Sequence, residues 1–388
     1  MTSKLFEKYV FNNNKEAPGR LFVGPLTLFS SNSDGSINEG ERNYLKTRAT
    51  GMGIYILGAT AVSQDGLCFP GHPRAISEND LPSLEERAKI IKSQGALAIN
   101  QIHHAGCLAL KQYSGVDPLA PSAEVANETL KSMGQYKDEV KEFTDERIKE
   151  IIKEFARGTE LSIKAGFDGI EFHAANKYLF QQFYSPHFNK RNDNWGGSVE
   201  KRMNFSLQVI DACCKIREQY NRPDFIIGYR LSPEEPFEDG LTMTETLKLV
   251  RVLLTKPIQY IHVSQLDYFR KVRRGEGSGI ERLKVLHDEI KGKVALLGIG
   301  GLRTEKDLNK ALDTGFSDFI GVGCASMVNK DLGILLKENR GKEIKEEIDP
   351  EHPEIYCMPE PLWKMSLQGI NYFPPIKGKP YERLQIDV

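Results

Sequence analysis

A histidine, an asparagine and a tyrosine crowd together in the segment GFDGIEFHAANKYLFQQFYSPHFNKRNDNWGGSVEKRMNF, Gly166 to Phe205, as His173, Asn176 and Tyr178. His173 ends a short apolar run, and the other two lie in the turn that follows. Such a trio offers two hydrogen-bond donors to one oxygen and a phenol as a proton source. Each residue also has an ordinary reading: His173 as a lid on a core, Asn176 as a turn former, Tyr178 as a helix start. Arg230, in GYRLSPEE, places a guanidinium inside an otherwise apolar run. At an inward position it needs an anionic partner, which Glu171 or Glu234 could supply from within the chain. Gln101, in NQIHHAG, can present both a donor and an acceptor, although a strand-end glutamine is more often simply solvated. His103 and His104 beside it read as loop support. GIGG, Gly298 to Gly301, exposes backbone N–H groups that can approach a phosphate, but it lacks the full GxGxxG pattern.

Residues this far apart in the chain share a site only if the fold gathers them. Short runs rich in branched residues recur at Leu21–Val23, Ile54–Leu57, Leu97–Ile102, Gly169–His173, Phe225–Leu231, Ile258–Ser264, Ala295–Gly300 and Phe319–Gly323. Segments of helical period lie between them at Leu84–Gln94, Thr144–Ala165, Lys201–Tyr220, Met243–Leu254, Glu281–Lys291 and Glu305–Thr314. Eight strands alternating with helices predict an α/β architecture, a (β/α)8 TIM barrel, whose active site is built at the carboxyl ends of the strands. An open doubly wound sheet is the alternative. Residues 107–143, containing Pro118 and Pro121, are too long for a simple crossover and predict a capping insertion between strand 3 and helix 3. Residues 1–340 are assigned to the barrel with a short N-terminal hairpin, and residues 341–388 to a charged linker and C-terminal tail.

The 388 residues carry 52 basic and 53 acidic side chains, a net charge of −1. That balance argues against a nucleic-acid footprint. The most apolar stretch, Gly53 to Val62, is about ten residues long, short of the ~20 that span a bilayer. With no secretory signal pattern at the N-terminus, a cytoplasmic protein without membrane partners is expected. The six cysteines form no CxxC pair or metal-ligand spacing, so no metal site is expected, and Cys213 and Cys214 read as buried thiols.

From about Leu21 to Asn329 these motifs, in this order, resemble the old yellow enzyme family of FMN-dependent ene-reductases, in its NADH-dependent flavin oxidoreductase branch. The family motif of His, two residues, His or Asn, one residue, Tyr is met by His173, Asn176 and Tyr178, with Lys177 where glycine is usual. The resemblance implies that Pro25, Leu26 and Thr27 of GPLTLFSS border the flavin, Thr27 near its O4 edge, and that Ala59 of GAT approaches it through a small side chain. Phe29 falls where some relatives have tyrosine. It further implies that Gln101 pairs with the pyrimidine edge, that Arg230 faces the N1–C2=O region, and that Gly300, Gly301, Gly323 and Cys324 surround the phosphate. Relatives usually have Gly-Arg after the eighth strand, the arginine on the phosphate; here the pair is Gly323-Cys324. Either Lys330 or Arg303 replaces that cation, or FMN binds more weakly than is usual, and Cys324 reads as a small filler. The iron–sulfur cluster and second nucleotide-binding half of longer relatives have no expected counterpart.

The activity implied is ping-pong: NADH or NADPH reduces non-covalently bound FMN, and an alkene conjugated to a carbonyl then takes the hydride. His173 and Asn176 would hold the carbonyl oxygen, and Tyr178 would protonate the α-carbon. Two other readings stay open: a different FMN-barrel reaction, such as dehydrogenation or demethylation of an amine or ring, and a flavin-poor barrel with a binding role. The tail, with Trp363, Tyr372, Phe373 and Tyr381, has the aromatic surface of a homo-oligomer interface, or else packs back on its own barrel.

Overall fold

Strands that are apolar on both faces are stable only in a sheet covered on both sides. In the computed structural model, which describes residues 2–370 and 372–382, eight such strands close into a barrel: β1 (Leu21–Val23), β2 (Ile54–Ala61), β3 (Leu97–His103), β4 (Gly169–Ala174), β5 (Ile226–Leu231), β6 (Tyr260–Val263), β7 (Ala295–Ile299) and β8 (Phe319–Val322). Consecutive strands pair in parallel all the way round, and β8 returns to β1. The outer ring is α1 (Glu39–Leu45), α2 (Leu81–Lys92), α3 (Asp145–Lys164), α4 (Val199–Gln219), α5 (Met243–Leu253), α6 (Arg282–Ile290), α7 (Glu305–Thr314) and α8 (Leu332–Lys337). The eight strands and six helices expected from periodicity are all present, with only their ends shifted. Strand β2 runs on past Leu57 to Ala61. Helix α2 starts at Leu81 rather than Leu84 because Pro82 suits a first turn. The short α1 and α8 lacked enough turns to show a period.

Side chains alternate across each strand, which sorts the core into two layers. One face, with Leu21, Val23, Tyr55, Leu57, Ile170, Phe172, Ile227, Tyr229, Ile261 and Val263, packs under the helices. The other, with Phe22, Ile54, Ile56, Ile99, Ile226, Tyr260, Leu297 and Phe319, fills the barrel's lower half. An antiparallel N-terminal hairpin, Tyr9–Val10 with Glu16–Ala17, closes that floor. Phe11 at its turn is 2% exposed and stacks on Phe319 with ring centroids 5.5 Å apart.

At the opposite end, the insertion after β3 is ordered around a helix, Ala123–Ser132, whose Ala126 and Leu130 pack with Val140 and Phe188. The tail returns to the barrel through buried Arg48, which donates to the carbonyl oxygens of Ser326 (2.9 Å), Tyr44 (3.1 Å) and Tyr356. Its helix, Glu360–Ser366, buries Leu362. Of the two readings of the tail, the described residues adopt packing against their own barrel.

Phe11→Ala should remove about 3–5 kcal/mol of stability, the usual loss for a buried aromatic, because the plug leaves a void at the floor. Urea unfolding measures it, and the cavity at the far end should keep its ligand affinity.

Candidate active site

The period-two pattern that buries Ile99, Ile226 and Tyr260 places Gln101 and His103, Glu171 and His173, Arg230, and His262 and Ser264 on the same inward face, nearer the carboxyl ends. There they form a polar layer above the apolar floor. Glu171 is fully buried and accepts hydrogen bonds from Gln101 Nε2 (2.7 Å) and His262 Nδ1 (2.9 Å). Burial pushes its carboxyl upward, but His262, Arg230 and Gln101 together hold it below the usual range. Glu234 is engaged as well, by Arg282 at 2.7 Å. Neither carboxylate therefore makes the ion pair with Arg230 that the sequence allowed. Arg230 donates from Nη2 to Ser264 Oγ (3.1 Å), and its buried Nε has no acceptor.

That guanidinium sets the orientation of its neighbours. Arginine cannot accept, so Ser264 accepts from it and passes its own hydroxyl proton to Asn176 Oδ1 (2.9 Å). The carbonyl end of the Asn176 amide is thereby taken, and its NH2 is left for the cavity. Asn176 and Lys177 both sit in the left-handed region, at φ 58° and 63°. Four hydrogen bonds hold this turn: Asn176 N to Ser232 Oγ, Lys177 N to Gln181 Oε1, Gln182 Nε2 to Lys177 O, and Tyr178 N to Ala175 O. Tyr178 caps the short helix Leu179–Tyr184, so its ordinary role and its candidate role coincide.

Tyr178 meets His103 and His173 edge-on, with ring centroids 4.3 and 4.7 Å away. Burial first, and then the neighbouring Cys68 thiol, push its phenol well above the usual value. Burial likewise drives His173 well below the ordinary histidine range, and Arg230 adds to this. His173 is therefore a neutral imidazole carrying one N–H. His103 is more than loop support: it lies on the inward face one step past Gln101, and Cys68 Sγ sits 3.7 Å from its Nε2. Alternation along β3 is the signal that could have found it. His104 does support the loop, through Asp65 at 3.1 Å.

These groups open into one cavity of about 740 Å3. Pro25, Leu26, Thr27, Ala59, Gln101, His173, Asn176, Tyr178, Arg230, Gly300, Gly301, Gly323 and Cys324 all line it, so the structure gathers the expected catalytic and flavin-bordering residues around one cavity. Ala59 reaches it because β2 breaks register with β3 between Leu57 and Thr60, a bulge that re-aims the strand. Glycine is required at 58, where a Cβ would lie 2.1 Å from the Leu26 carbonyl oxygen. The walls include Leu130 and Lys137 of the insertion and Leu362, Tyr372, Phe373 and Tyr381 of the tail, none of which sequence reasoning had assigned to a site. Of the two candidate replacements for the missing arginine, Arg303 lines the cavity, with its Nε lacking an acceptor and a hydrogen bond from its guanidinium to Tyr381 Oη. Lys330 does not line it and points to Cys357 Sγ at 3.9 Å. The tail's Tyr372 carbonyl accepts from Cys324 Sγ at 3.2 Å.

A flavin mononucleotide suits these residues on physical grounds. Arg230 and Arg303 each present a buried Nε without an acceptor, in a cavity of ligand size. Gln101 is anchored through one N–H, which leaves its carbonyl oxygen and second N–H for a pyrimidine edge.

Comparison with known proteins agrees with this geometry. The model of the NADH:flavin oxidoreductase / NADH oxidase family matches residues 4–343. The chain is 36% identical over 370 residues to the probable NADH-dependent flavin oxidoreductase YqiG of Bacillus subtilis, covering 95% of this chain and 97% of that one. It is 33% identical over 366 residues to the NADH:acrylate oxidoreductase of Vibrio harveyi, covering 94% of this chain but only 36% of that longer protein. Among solved structures, the old yellow enzyme homologue of Zymomonas mobilis superposes with a TM-score of 0.73 at 22% identity, covering 92% of this chain and 99% of that one, a likeness of fold.

The cluster predicts a pH dependence of stability. Burial lowers the pKa of His72 (to about 3), His103, His173 and His262, whereas unfolded histidines titrate near ~6.5. Below that pH the unfolded chain binds protons that the folded one refuses, so stability is full above ~6.5 and falls as the pH drops, by up to ~1.4 kcal/mol per pH unit for each histidine. Urea unfolding between pH 7.5 and 5 should show this slope, before most carboxylates titrate, and His72→Gln, which replaces the ring 5.4 Å from that of His103, should remove one histidine's share of it.

Proposed function

The chain belongs to the NADH:flavin oxidoreductase / NADH oxidase family, and from that membership we propose that it reduces alkenes activated by conjugation to a carbonyl. It is an FMN-dependent oxidoreductase that draws on a reduced nicotinamide nucleotide. The observation that carries the substrate reading is the convergence of Tyr178, His173 and Asn176 beside Arg230 in one cavity. The Vibrio harveyi relative, of which this chain matches 36%, is named for an activated alkene that carries a carboxylate, and supports alkene reduction in general.

In this reading Arg230 and Gln101 hold the pyrimidine edge of FMN, and Thr27, Pro25, Leu26 and Ala59 border its ring. Gly300, Gly301, Gly323, Cys324 and Arg303 surround its phosphate. When bound, FMN supplies the hydride, from N5, that it has taken from the nicotinamide. The neutral His173 and the NH2 of Asn176 donate to the substrate carbonyl oxygen, where negative charge grows as the β-carbon gains its hydrogen. Neutral donors suit that oxygen, because their hydrogen bonds strengthen as it charges and they avoid a second cation beside Arg230. Tyr178 gives its proton to the α-carbon. A phenol with a raised pKa keeps its proton until the carbon is basic enough to take it. The balance is one alkene, one NAD(P)H and one proton in, one saturated product and one NAD(P)+ out, with Tyr178 reprotonated from solvent.

Tyr178→Phe tests the assignment in separated half-reactions. Flavin reduction by NADH should stay within a few-fold, while reoxidation by an enone should slow by roughly 10²-fold or more; unchanged reoxidation would remove Tyr178 from the mechanism. Arg303→Met should weaken FMN binding by roughly tenfold or more, the loss expected for an arginine–phosphate pair, as read by fluorescence titration of the apoprotein. Unaltered affinity would place the phosphate elsewhere.

A further inference from the structure

Lys177 lies between Asn176 and Tyr178 on the cavity wall, at φ 63°, a conformation that glycine adopts freely and a lysine adopts only under strain. The turn is held there from four sides, so the strain belongs to the native design. Its side chain is half-buried, and among the described residues its ammonium makes no hydrogen bond or ion pair. Burial depresses its pKa, and the nearest opposing charge, Glu235, is committed to Gln181 and Ser185. The lining of the cavity repeats this imbalance: Lys137, Lys177, Arg230 and Arg303 face a single carboxylate, Asp138. Arg230 and Arg303 are assigned to the flavin and Lys137 is exposed to solvent, whereas Lys177 is the half-buried cation between Asn176 and Tyr178, at the proposed substrate end.

We propose that Lys177 anchors a carboxylate carried by the alkene substrate, distinct from the carbonyl that His173 and Asn176 hold. The inference rests on the alkene-reductase reading above and adds the substrate class: a conjugated ester, amide or ketone that also bears a free carboxylate. The two groups have to be separate. A carboxylate placed at His173 and Asn176 would already be charged, and further negative charge would build on it against neutral donors. A neutral carbonyl there, with the charge paired at the neighbouring residue, uses both features of the turn.

Monomethyl fumarate has both groups, and dimethyl fumarate has only the neutral ones, so the pair isolates the contact. Steady-state kinetics on the FMN-loaded full chain should give the half-ester the higher kcat/KM. In both Lys177→Met and Lys177→Gly the ratio of half-ester to diester should fall by roughly 30-fold or more, as for loss of one partner of a desolvated charge pair. Lys177→Gly should also raise the Tm by relieving the left-handed strain, which keeps the test open if the methionine variant fails to fold. The rate and substrate dependence of flavin reduction by NADH serve as the second arm. A ratio unchanged in both variants overturns the inference. So does a defect confined to the NADH step, which would assign Lys177 to the nucleotide's pyrophosphate. If the unmodified protein oxidises NADH with neither ester but does so with a carbonyl-free acceptor, the alkene-reductase reading itself falls.

Discussion

A guanidinium that cannot lose its charge occupies the interior of the barrel, and the protein does not neutralise it directly. Arg230 has Glu171 within electrostatic reach, yet that carboxylate is bound by Gln101 and His262, and Glu234 is bound by Arg282. Arg230 donates one hydrogen bond, to Ser264 Oγ, and its Nε is left without an acceptor. Burying a charge in this state is costly. A ligand with an electron-rich edge would offset that cost, which is why the proposed reading places the pyrimidine edge of FMN at this residue.

The same charge decides the state of the groups around it. It disfavours a proton on His173, already unfavourable through burial, and so keeps the imidazole a neutral donor on the cavity wall. Through Ser264 it also fixes which end of the Asn176 amide faces the cavity. Imidazole protonation and amide orientation thus share one origin. Tyr178 lies at the edge of this field, and burial rather than charge keeps its proton in place.

The remaining walls come from segments outside the strand–helix repeat. The insertion after β3 and the tail after α8 converge on the cavity, and Arg48 ties the tail to the end of the barrel by bonds to the backbone carbonyl groups of Tyr44, Ser326, Met327 and Tyr356. Tyr381 shares a hydrogen bond with Arg303, and Tyr372 receives one from Cys324 at the position where the usual arginine is missing. The tail thereby borders the part of the cavity where the Gly-Arg pair expected from the resemblance is replaced by Gly323-Cys324.

Periodicity by itself determined the eight strands, six of the helices and hence the barrel, because a two-residue alternation interrupted by a 3.6-residue one has few packed solutions. Period two put Gln101, His173 and Arg230 on one inward face at the strand ends, whereas Asn176 and Tyr178, in the turn beyond β4, were legible through the motif that resembles the old yellow enzyme family. What sequence could not decide was pairing across distance. Whether Arg230 met Glu171, Glu234 or neither depended on which acceptors His262, Gln101 and Arg282 had already claimed, and those three residues come from separate strands and helices far apart in the chain. His103 packed against Tyr178 and Cys68 behind the cavity, Arg303 rather than Lys330 on its wall, and tail residues in that wall are of the same kind. Each is settled by where loops of no fixed period come to rest, and that depends on long-range packing and hydrogen bonding rather than on local pattern.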